Sequence, residues 1–484
     1  MILHLDNSID GYRQFIRVKS LPRYEIRGRM AWFPDEYAET VGVKALPKDY
    51  GTYEPRPGLF DYQRDIVAMA IARRKYAIFA DCGLGKTLML QEFARHVREQ
   101  MPDRPVLIVS PLMVVPQTIA EAEKFYGDTL PIEQVTAKGL AKWLETPGGR
   151  LGITNYDALK DETPQGHLGA LILDESSMLK SHYGKWGQVC LRLGAGLEWK
   201  LALTGTPAPN DRIEYANHAV FLDAFPNVNS FLAKFFVNRG QTQERWELKP
   251  HALKPFYRAL SHWCIFLTDP STYGWKDNVH SIPPIHVIIE DVRMSKSQER
   301  AVQQETGQLF VTSLGGITTR AKLSRMAKCG DSPKPQYIAD MVREWPTESV
   351  IIWCRYNDEQ DMLAKLLPEA VSLDGSTPDA ERQRMVDDFK SGRVRVLISK
   401  PRILGFGLNL QICTRQVFSG LQDSYEEYYQ AVKRSNRVGS TKPLCVHIPV
   451  TEIERPMVDN VLRKAARVEA DTREQEALFR DAAK

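Results

Sequence analysis

The sequence predicts an α/β protein built from two doubly wound parallel-sheet lobes, and three observations carry that prediction. Short apolar runs rich in β-branched residues recur with helical stretches between them, the texture of strands buried on both faces of a parallel sheet. The runs fall into two series of about 150 residues each, separated by a stretch of different character. The chain of 484 residues is also too long for one simple core.

In chain order, residues 1–50 form a small N-terminal accessory region ahead of both series. Its stretch "RQFIRVKSLPRYEIRGR" (13–29) holds six basic residues against the single acid Glu25, with aromatics interleaved. Such a run is either a β-rich accessory touching DNA or the exposed face of a packing extension. Lobe 1 is expected over 51–210, with strands at "YAIFA" (76–80), "VLIVS" (106–110), "LGITN" (151–155), "ALILDE" (170–175) and "KLALTG" (200–205). Residues 211–330 read as a helical, aromatic-rich insertion and connector, because "YANHAVFLDAFPNVNSFLAKFF" and "ALKPFYRALSHWCIFL" lack the βα rhythm. Lobe 2 follows over 331–450, with "SVIIWC" (349–354), "AVSLDG" (370–375), "RVLIS" (395–399), "QVFSG" (416–420) and "LCVHIP" (444–449). Over 451–484, Ile453, Met457 and Val461 stand at helical spacing with Val458, Leu462 and Ala465 alongside. They predict a long amphipathic helix docked on lobe 2 and ending in a charged, frayed tail.

Composition narrows the function classes. Lys+Arg number 64 against 60 Asp+Glu, a net charge of +4, so any basic surface must be local. The seven cysteines stand at 82, 190, 264, 329, 354, 413 and 445 with no CxxC pair, and no HExxH occurs. That pattern argues against a disulfide framework and a structural zinc site, and for a reducing compartment. The first residues, "MILHLDNSIDGY", meet acids too early for a signal peptide, and no apolar run approaches the roughly 18 residues a bilayer span needs. A soluble, cytoplasmic protein without membrane partners is expected.

The most informative stretch is "FADCGLGKTLML" (79–90), where a strand runs into a glycine-rich loop and then a helix. A phosphate loop needs backbone N–H groups lining a concavity, hence glycines, with a helix N-terminus behind them. It also needs a lysine for the β/γ-phosphates and a hydroxyl for magnesium. Gly83, Gly85, Lys86 and Thr87 stand at those places, although Ala80 replaces the glycine that opens the strict pattern. About 88 residues on, "ALILDESS" ends a strand in Asp174 and Glu175. Asp174 suits magnesium held through water, and Glu175 suits the polarising of an attacking water.

The ordered set of motifs over roughly residues 56–450 resembles a superfamily-two helicase, most closely the SWI/SNF-type DNA translocase branch. The resemblance implies two RecA-like lobes using ATP and Mg2+, in a compact chain similar to bacterial or bacteriophage members. "LFDYQ" (59–63) resembles the segment whose glutamine reads adenine, which gives Gln63 that role. "SPL" (110–112) and "ITNYDAL" (153–159) resemble first-lobe segments that touch a nucleic-acid backbone, implicating Ser110, Thr154 and Asn155. "LTGTP" (203–207) resembles the motif coupling ATP state to DNA grip, through Thr204, Gly205 and Thr206. In lobe 2, "GFGLNL" (405–410) implicates Gly407 in nucleotide binding and Asn409 in nucleic-acid contact or coupling. "QAVKRSNRVGS" (430–440) adds Gln430 to the coupling set and offers Arg434 and Arg437 as arginine fingers. Their spacing puts both arginines on one helical face. This chain departs from the branch in reading DESS rather than DEGH, in ending the last motif at Ser440, and in lacking an arginine pair after "CIFLTDPSTYG".

The resemblance implies a motor that binds the phosphate backbone of double-stranded DNA in a salt-dependent, sequence-independent way. An RNA-directed or strand-separating helicase of the same superfamily, and a non-hydrolysing DNA-binding scaffold or loader, remain open alternatives at this point.

Overall fold

The computed structural model describes residues 1–484 apart from 35–36, 45–50, 113, 180–183, 210, 241–244, 277–281, 307–316, 405–408, 422–424, 438–439 and 484. The chain divides into two compact units, Met1–Asn278 with Thr472–Lys484, and Val279–Asp471.

The first unit is organised by a seven-stranded sheet. Its strands run Cys264–Leu267, Lys75–Ala80, Trp199–Thr204, Ala170–Leu173, Val106–Ser110, Leu151–Asn155 and Glu133–Gln134 across the sheet, every neighbouring pair parallel. Alternation along one strand shows why the run is apolar throughout. Ala77 and Phe79 enter the core on one face, while Tyr76, Ile78 and Ala80 enter a separate core on the other. Helices Asp61–Arg73 and Lys86–Gln100 contribute Ile66, Val67, Met89 and Phe93 to that second core.

The second unit repeats the plan with six parallel strands in the order Ile285–Asp291, Leu444–Val450, Arg415–Phe418, Val350–Trp353, Val396–Ser399 and Val371–Ser372. Ile351 and Trp353 face one core, Val350 and Ile352 the other. Two doubly wound lobes are therefore present, as the sequence predicts.

The stretch read as a helical insertion is divided otherwise. Its aromatics Phe221, Phe231, Phe235 and Phe256 belong to one core of the first unit. "CIFL" is no helix but the strand Cys264–Leu267, parallel to Lys75–Ala80 at the sheet edge. The short helix Leu253–Leu260 ends four residues earlier, and four apolar residues after a helix carry too little periodicity to announce a change of element. The strand Ile285–Asp291 likewise extends the second sheet from within the stretch expected to be helical.

Residues 1–34 and 37–44 include an antiparallel three-stranded sheet in the order Ile2–His4, Met30–Trp32, Glu25–Arg27, and a helix Ile9–Lys19. Leu5, Val18, Leu21, Ala31, Phe33 and Val41 form a small core of their own there. The C-terminal helix Arg455–Ala483 buries Val458 and Val461 in a core of the second unit, with Leu462 and Ala465 packed against it. Its end is not the frayed tail the charges predict. The Glu476 carboxylate accepts from both the backbone N–H (2.6 Å) and the hydroxyl (2.7 Å) of Thr268, and Arg480 donates to the Thr272 carbonyl at 3.0 Å. Charged residues spaced along that last stretch include buried partners, which charge counting alone does not reveal.

Candidate nucleotide site

The strand Lys75–Ala80 delivers the chain into the loop 81–85, and Lys86 opens the helix Lys86–Gln100. Gly83 (φ 88°) and Gly85 (φ 74°) are both left-handed, so the loop's backbone demands glycine at these two places. Space demands it as well at Gly85, where a Cβ would lie 2.2 Å from Gln63 Nε2. Gln63 is buried: its Oε1 accepts from the Phe60 N–H at 3.1 Å and its Nε2 donates to the Leu84 carbonyl at 3.3 Å. The glutamine of "LFDYQ" thus packs directly on the phosphate-type loop. The Lys86 amine folds over that loop, donating to the carbonyls of Ala80 (2.8 Å) and Asp81 (3.2 Å). Thr87, one residue into the helix, is half-buried.

The acidic box follows the central strand Ala170–Leu173. Asp174 Oδ2 accepts from the Ser110 hydroxyl at 2.9 Å and Oδ1 from the Glu175 N–H at 3.1 Å. Burial raises the Asp174 carboxyl above the usual carboxylate range, while the Ser110 hydrogen bond and the Lys86 charge pull it back. Glu175 has φ 50°, a left-handed backbone that costs a non-glycine residue free energy and marks a site held by its surroundings. Its Oε1 accepts from the Thr204 hydroxyl at 2.7 Å and the Ser177 hydroxyl at 3.3 Å. Thr204 Oγ1 accepts in turn from the Thr206 N–H at 3.1 Å. Between them, a Cβ on Gly205 would stand 3.4 Å from the Ala80 carbonyl oxygen and 3.6 Å from Lys86 Nζ. The loop, the acidic box and the "LTGTP" segment therefore form one interlocked group at neighbouring strand ends.

These residues fit a nucleoside triphosphate with magnesium. The donor set joins a lysine amine, a hydroxyl at the helix start and a hydroxyl-supported carboxylate, and the glycines leave room that any side chain would fill. Thr87 and Asp174 would hold the metal, with few protein ligands as magnesium prefers.

The side chains of Ser110 and Thr154, implicated in nucleic-acid contact or coupling, turn inward in this structure. Both are buried: Ser110 braces Asp174, and Thr154 Oγ1 donates to the Val135 carbonyl at 2.7 Å. Asn155 is half-buried and caps the turn Tyr156–Ala158 by accepting from the Ala158 N–H at 3.1 Å. A residue at a parallel strand's C-terminal end can point inward as well as out, and the motif alone does not say which.

Sequence reasoning missed three supports. Tyr156 donates to the Asp174 carbonyl at 2.8 Å. Ser176 Oγ lies 2.9 Å from His218 Nε2, and burial pushes that imidazole down to about 4, keeping it neutral. His218 also meets the edge of Phe79, with ring centroids 5.2 Å apart. The departure from DEGH to DESS is the one signal that hydroxyls take over packing and hydrogen bonding here.

In the second unit, Gly407 lies outside the described residues, and Asn409 is exposed. Gln430 sits on the helix Tyr425–Lys433, its Nε2 3.5 Å from Glu426 Oε1. Arg434 and Arg437 do not share a helical face, because that helix ends at Lys433. The chain closes through turns, Arg434 N–H to the Ala431 carbonyl and Asn436 N–H to the Val432 carbonyl. Ser440 then fixes the bend, donating to the Ser435 carbonyl at 2.6 Å and accepting from the Arg437 N–H at 3.3 Å. Arg434 is buried and its carbonyl accepts from the Leu410 N–H at 2.9 Å, while Arg437 is half-buried. Elsewhere on this unit, Arg355, Tyr356, Lys400, Pro401 and Arg402 line a cavity of about 240 Å³. Arg402 is paired with Glu427 at 2.7 Å, so the cavity's charge rests mainly on Arg355 and Lys400. Only the scattered cations of "CRYN" and "SKPR" hint at it in the sequence.

Among the described residues, no helix is long and apolar enough to cross a membrane. Two family models match the chain, a SNF2-related domain over residues 62–335 and a helicase conserved C-terminal domain over residues 333–439. A phage protein, "Putative protein p41" of Acyrthosiphon pisum secondary endosymbiont phage 1, is 23% identical over 82% of this chain and 92% of its own length. The mouse "DNA annealing helicase and endonuclease ZRANB3" is 23% identical over 81% of this chain, and the Escherichia coli "Zorya protein ZorD" 22% identical over 80%. The matched part spans only 38% of the mouse protein and 41% of the E. coli one. A solved structure, "Sulfolobus solfataricus SWI2/SNF2 ATPase core in complex with dsDNA", covers 88% of this chain and 96% of its own at 18% identity, with a TM-score of 0.42.

Proposed function

Because the chain belongs to the SNF2-related, helicase-like family, we propose that it hydrolyses ATP with magnesium and uses the cycle to move along or remodel double-stranded DNA without regard to sequence. The observation that carries this reading is the hydrogen-bonded path Glu175–Thr204–Thr206, whose Gly205 backs onto Ala80 and Lys86. A carboxylate placed to orient water is thereby tied to the segment that would report nucleotide state.

In this reading Lys86 binds the β/γ-phosphates and Gln63 the adenine edge. Glu175 orients the attacking water from a side chain already fixed by two hydroxyls, so little reorganisation accompanies the reaction. Thr87 and Asp174 would hold a magnesium ion, which would supply neutralising charge to the phosphate oxygens. Arg434 and Arg437 contribute positive charge to the same phosphates in the transition state. Arg355, Lys400 and Asn409 offer donors to a DNA backbone, a sequence-blind interaction that weakens as salt rises.

The deciding measurement is ATP turnover with duplex DNA, single-stranded DNA and RNA in parallel. Duplex DNA is expected to stimulate most, and Lys86→Ala to abolish the stimulated turnover. Preferential stimulation by RNA would instead support an RNA-directed helicase. Undiminished turnover in Lys86→Ala would remove the assignment altogether.

A further inference from the structure

Among the described residues, apolar exposure is concentrated in one small place. Of the twelve large hydrophobic side chains exposed among the described residues, seven lie within residues 1–34: Ile2, Ile9, Tyr12, Ile16, Tyr24, Met30 and Trp32. The same 34 residues hold six of the chain's basic residues against the three acids Asp6, Asp10 and Glu25, and so supply most of the net +4. The region has its own core and needs no apolar cover of that size to fold.

Strand pairing shows how three of these groups are arranged. Ile2 stands opposite Trp32 and Trp32 opposite Glu25, while His4 stands opposite Met30 and Met30 opposite Arg27. Directly paired residues lie on one face of a sheet, so these six side chains share a face. The intervening row, Leu3, Ala31 and Ile26, faces the core side, where Ala31 is fully buried. On the outer face Ile2 is 65% exposed, Met30 45% and Trp32 38%. Arg23 sets its guanidinium over the Trp32 ring, 5.6 Å from the centroid, and also donates to the Gly196 carbonyl at 3.5 Å, so that it ties the indole to the rest of the first unit. Arg27 and Glu25 pair at 2.7 Å, both well exposed, and the exposed Arg29 lies in the turn beside them.

We infer that this outer sheet face is a binding platform for single-stranded nucleic acid, in which a base stacks on Trp32 and flanking phosphates meet Arg27 and Arg29. A flat row of aromatic and apolar side chains rimmed by guanidinium groups matches unpaired bases joined by phosphates. A duplex offers this face only its charged backbone, because its base faces are already stacked. The exposed Arg27–Glu25 pair gives little in water, so exchanging Glu25 for a phosphate is inexpensive. The inference stands apart from the ATP chemistry, since none of these residues belongs to the nucleotide site.

The test is equilibrium binding of the full chain, without nucleotide, to fluorescent single-stranded DNA, single-stranded RNA of the same sequence, and duplex DNA. Trp32→Ala is expected to weaken single-strand binding about 10-fold, Trp32→Phe to restore most of it, and Arg29→Glu to weaken it several-fold and flatten its salt dependence. Duplex-stimulated ATP turnover should be unchanged in all three, which also shows that the variants are folded. Comparable loss with DNA and RNA assigns the shared base-and-phosphate chemistry, and a loss confined to one of them assigns that strand. Single-strand affinity within twofold of wild type in both Trp32→Ala and Arg29→Glu, or no measurable single-strand binding by the wild type, would overturn the inference.

Discussion

The two sheets are built on one plan but present their candidate residues in different ways. In the first unit, Asp174 and Glu175 follow a fully buried strand and their carboxylates are held by Ser110, Thr204 and Ser177. In the second, Asn409 is exposed, and Arg434 and Arg437 come after a helix has ended, in a bend closed by Ser440. Strand ends in a parallel sheet fix an atom to within a narrow range, which suits groups that must orient water or a metal. A bend beyond a helix terminus sets the backbone, burying Arg434 and leaving the half-buried Arg437 with a long guanidinium stem for a target. Under the proposed function, the comparison sets preorganisation where bond-breaking geometry would matter, and reach where only charge would be needed.

The strongest way to break that division is to remove the reaching group. Under the proposed mechanism, Arg437→Ala should lower DNA-stimulated ATP turnover about 10³- to 10⁵-fold. Nucleotide binding should survive, since most of the phosphate contacts are assigned to the first unit. Turnover within tenfold of wild type would mean that the bend contributes no transition-state charge. Removing the fixed group comes next. Glu175→Gln keeps the size of the side chain and a carbonyl for Thr204, but not the carboxylate. Turnover is expected to fall about 10²- to 10⁴-fold in single-turnover assays, with ATP affinity nearly unchanged.

A third experiment asks whether the second unit lacks rigid polar contacts in general or only at the arginines. Glu454, fully buried, pairs with Lys328 at 2.8 Å and Lys334 at 2.6 Å. Burial works to raise its carboxyl, but the two ammonium groups outweigh it and hold it down to about 2. Its folded value is therefore below its unfolded one. The stability it contributes is present above about pH 4.5 and is lost as pH falls towards 2. Glu454→Gln leaves two lysines buried without a counter-charge and should destabilise the second unit by about 3–5 kcal/mol. Chemical denaturation followed over pH 2–7 checks both points, the variant losing the acid-dependent part of the wild-type curve. A variant as stable as wild type at pH 7 would show that this cluster is not what anchors the helix Lys334–Arg343 to the start of the C-terminal helix.

What could be read in the sequence follows the same physical line. Strands buried on both faces announce themselves as apolar runs, so most of both sheets was legible from "YAIFA" to "LCVHIP", whereas the exposed Glu133–Gln134 and the partly exposed Ile285–Asp291 were not. The glycines at 83 and 85 were legible because left-handed backbone admits few other residues. "CIFL" was not, since four apolar residues after a helix fit either element. The inward turn of Ser110 and Thr154 was hidden because a hydroxyl suits a buried carboxylate or carbonyl as well as a phosphate. The helix end before Arg434 depends on Ser440, six residues away and joined by side-chain bonds that no period encodes. His218 reaches Ser176 from 42 positions along the chain, a pairing that only the fold makes.

The smallest expected effect addresses the link between the two kinds of holding. Thr204 is fully buried and its hydroxyl is the one atom shared by Glu175 and the Thr206 N–H. Thr204→Val preserves shape and removes that atom's hydrogen bonds. A hydrogen bond to a charged group is worth about 1.5–3 kcal/mol, so a loss of about 10- to 150-fold in DNA-stimulated turnover is the upper range, and the low end is expected because Ser177 still donates to Glu175. If Thr204 merely packs, basal and DNA-stimulated rates should fall together. If it transmits nucleotide state through the segment around Gly205, the stimulated rate should fall while the basal rate stays close to wild type. The ratio of the two rates therefore separates a brace from a coupler, and an unchanged ratio would leave the Glu175–Thr204–Thr206 path with a structural role only.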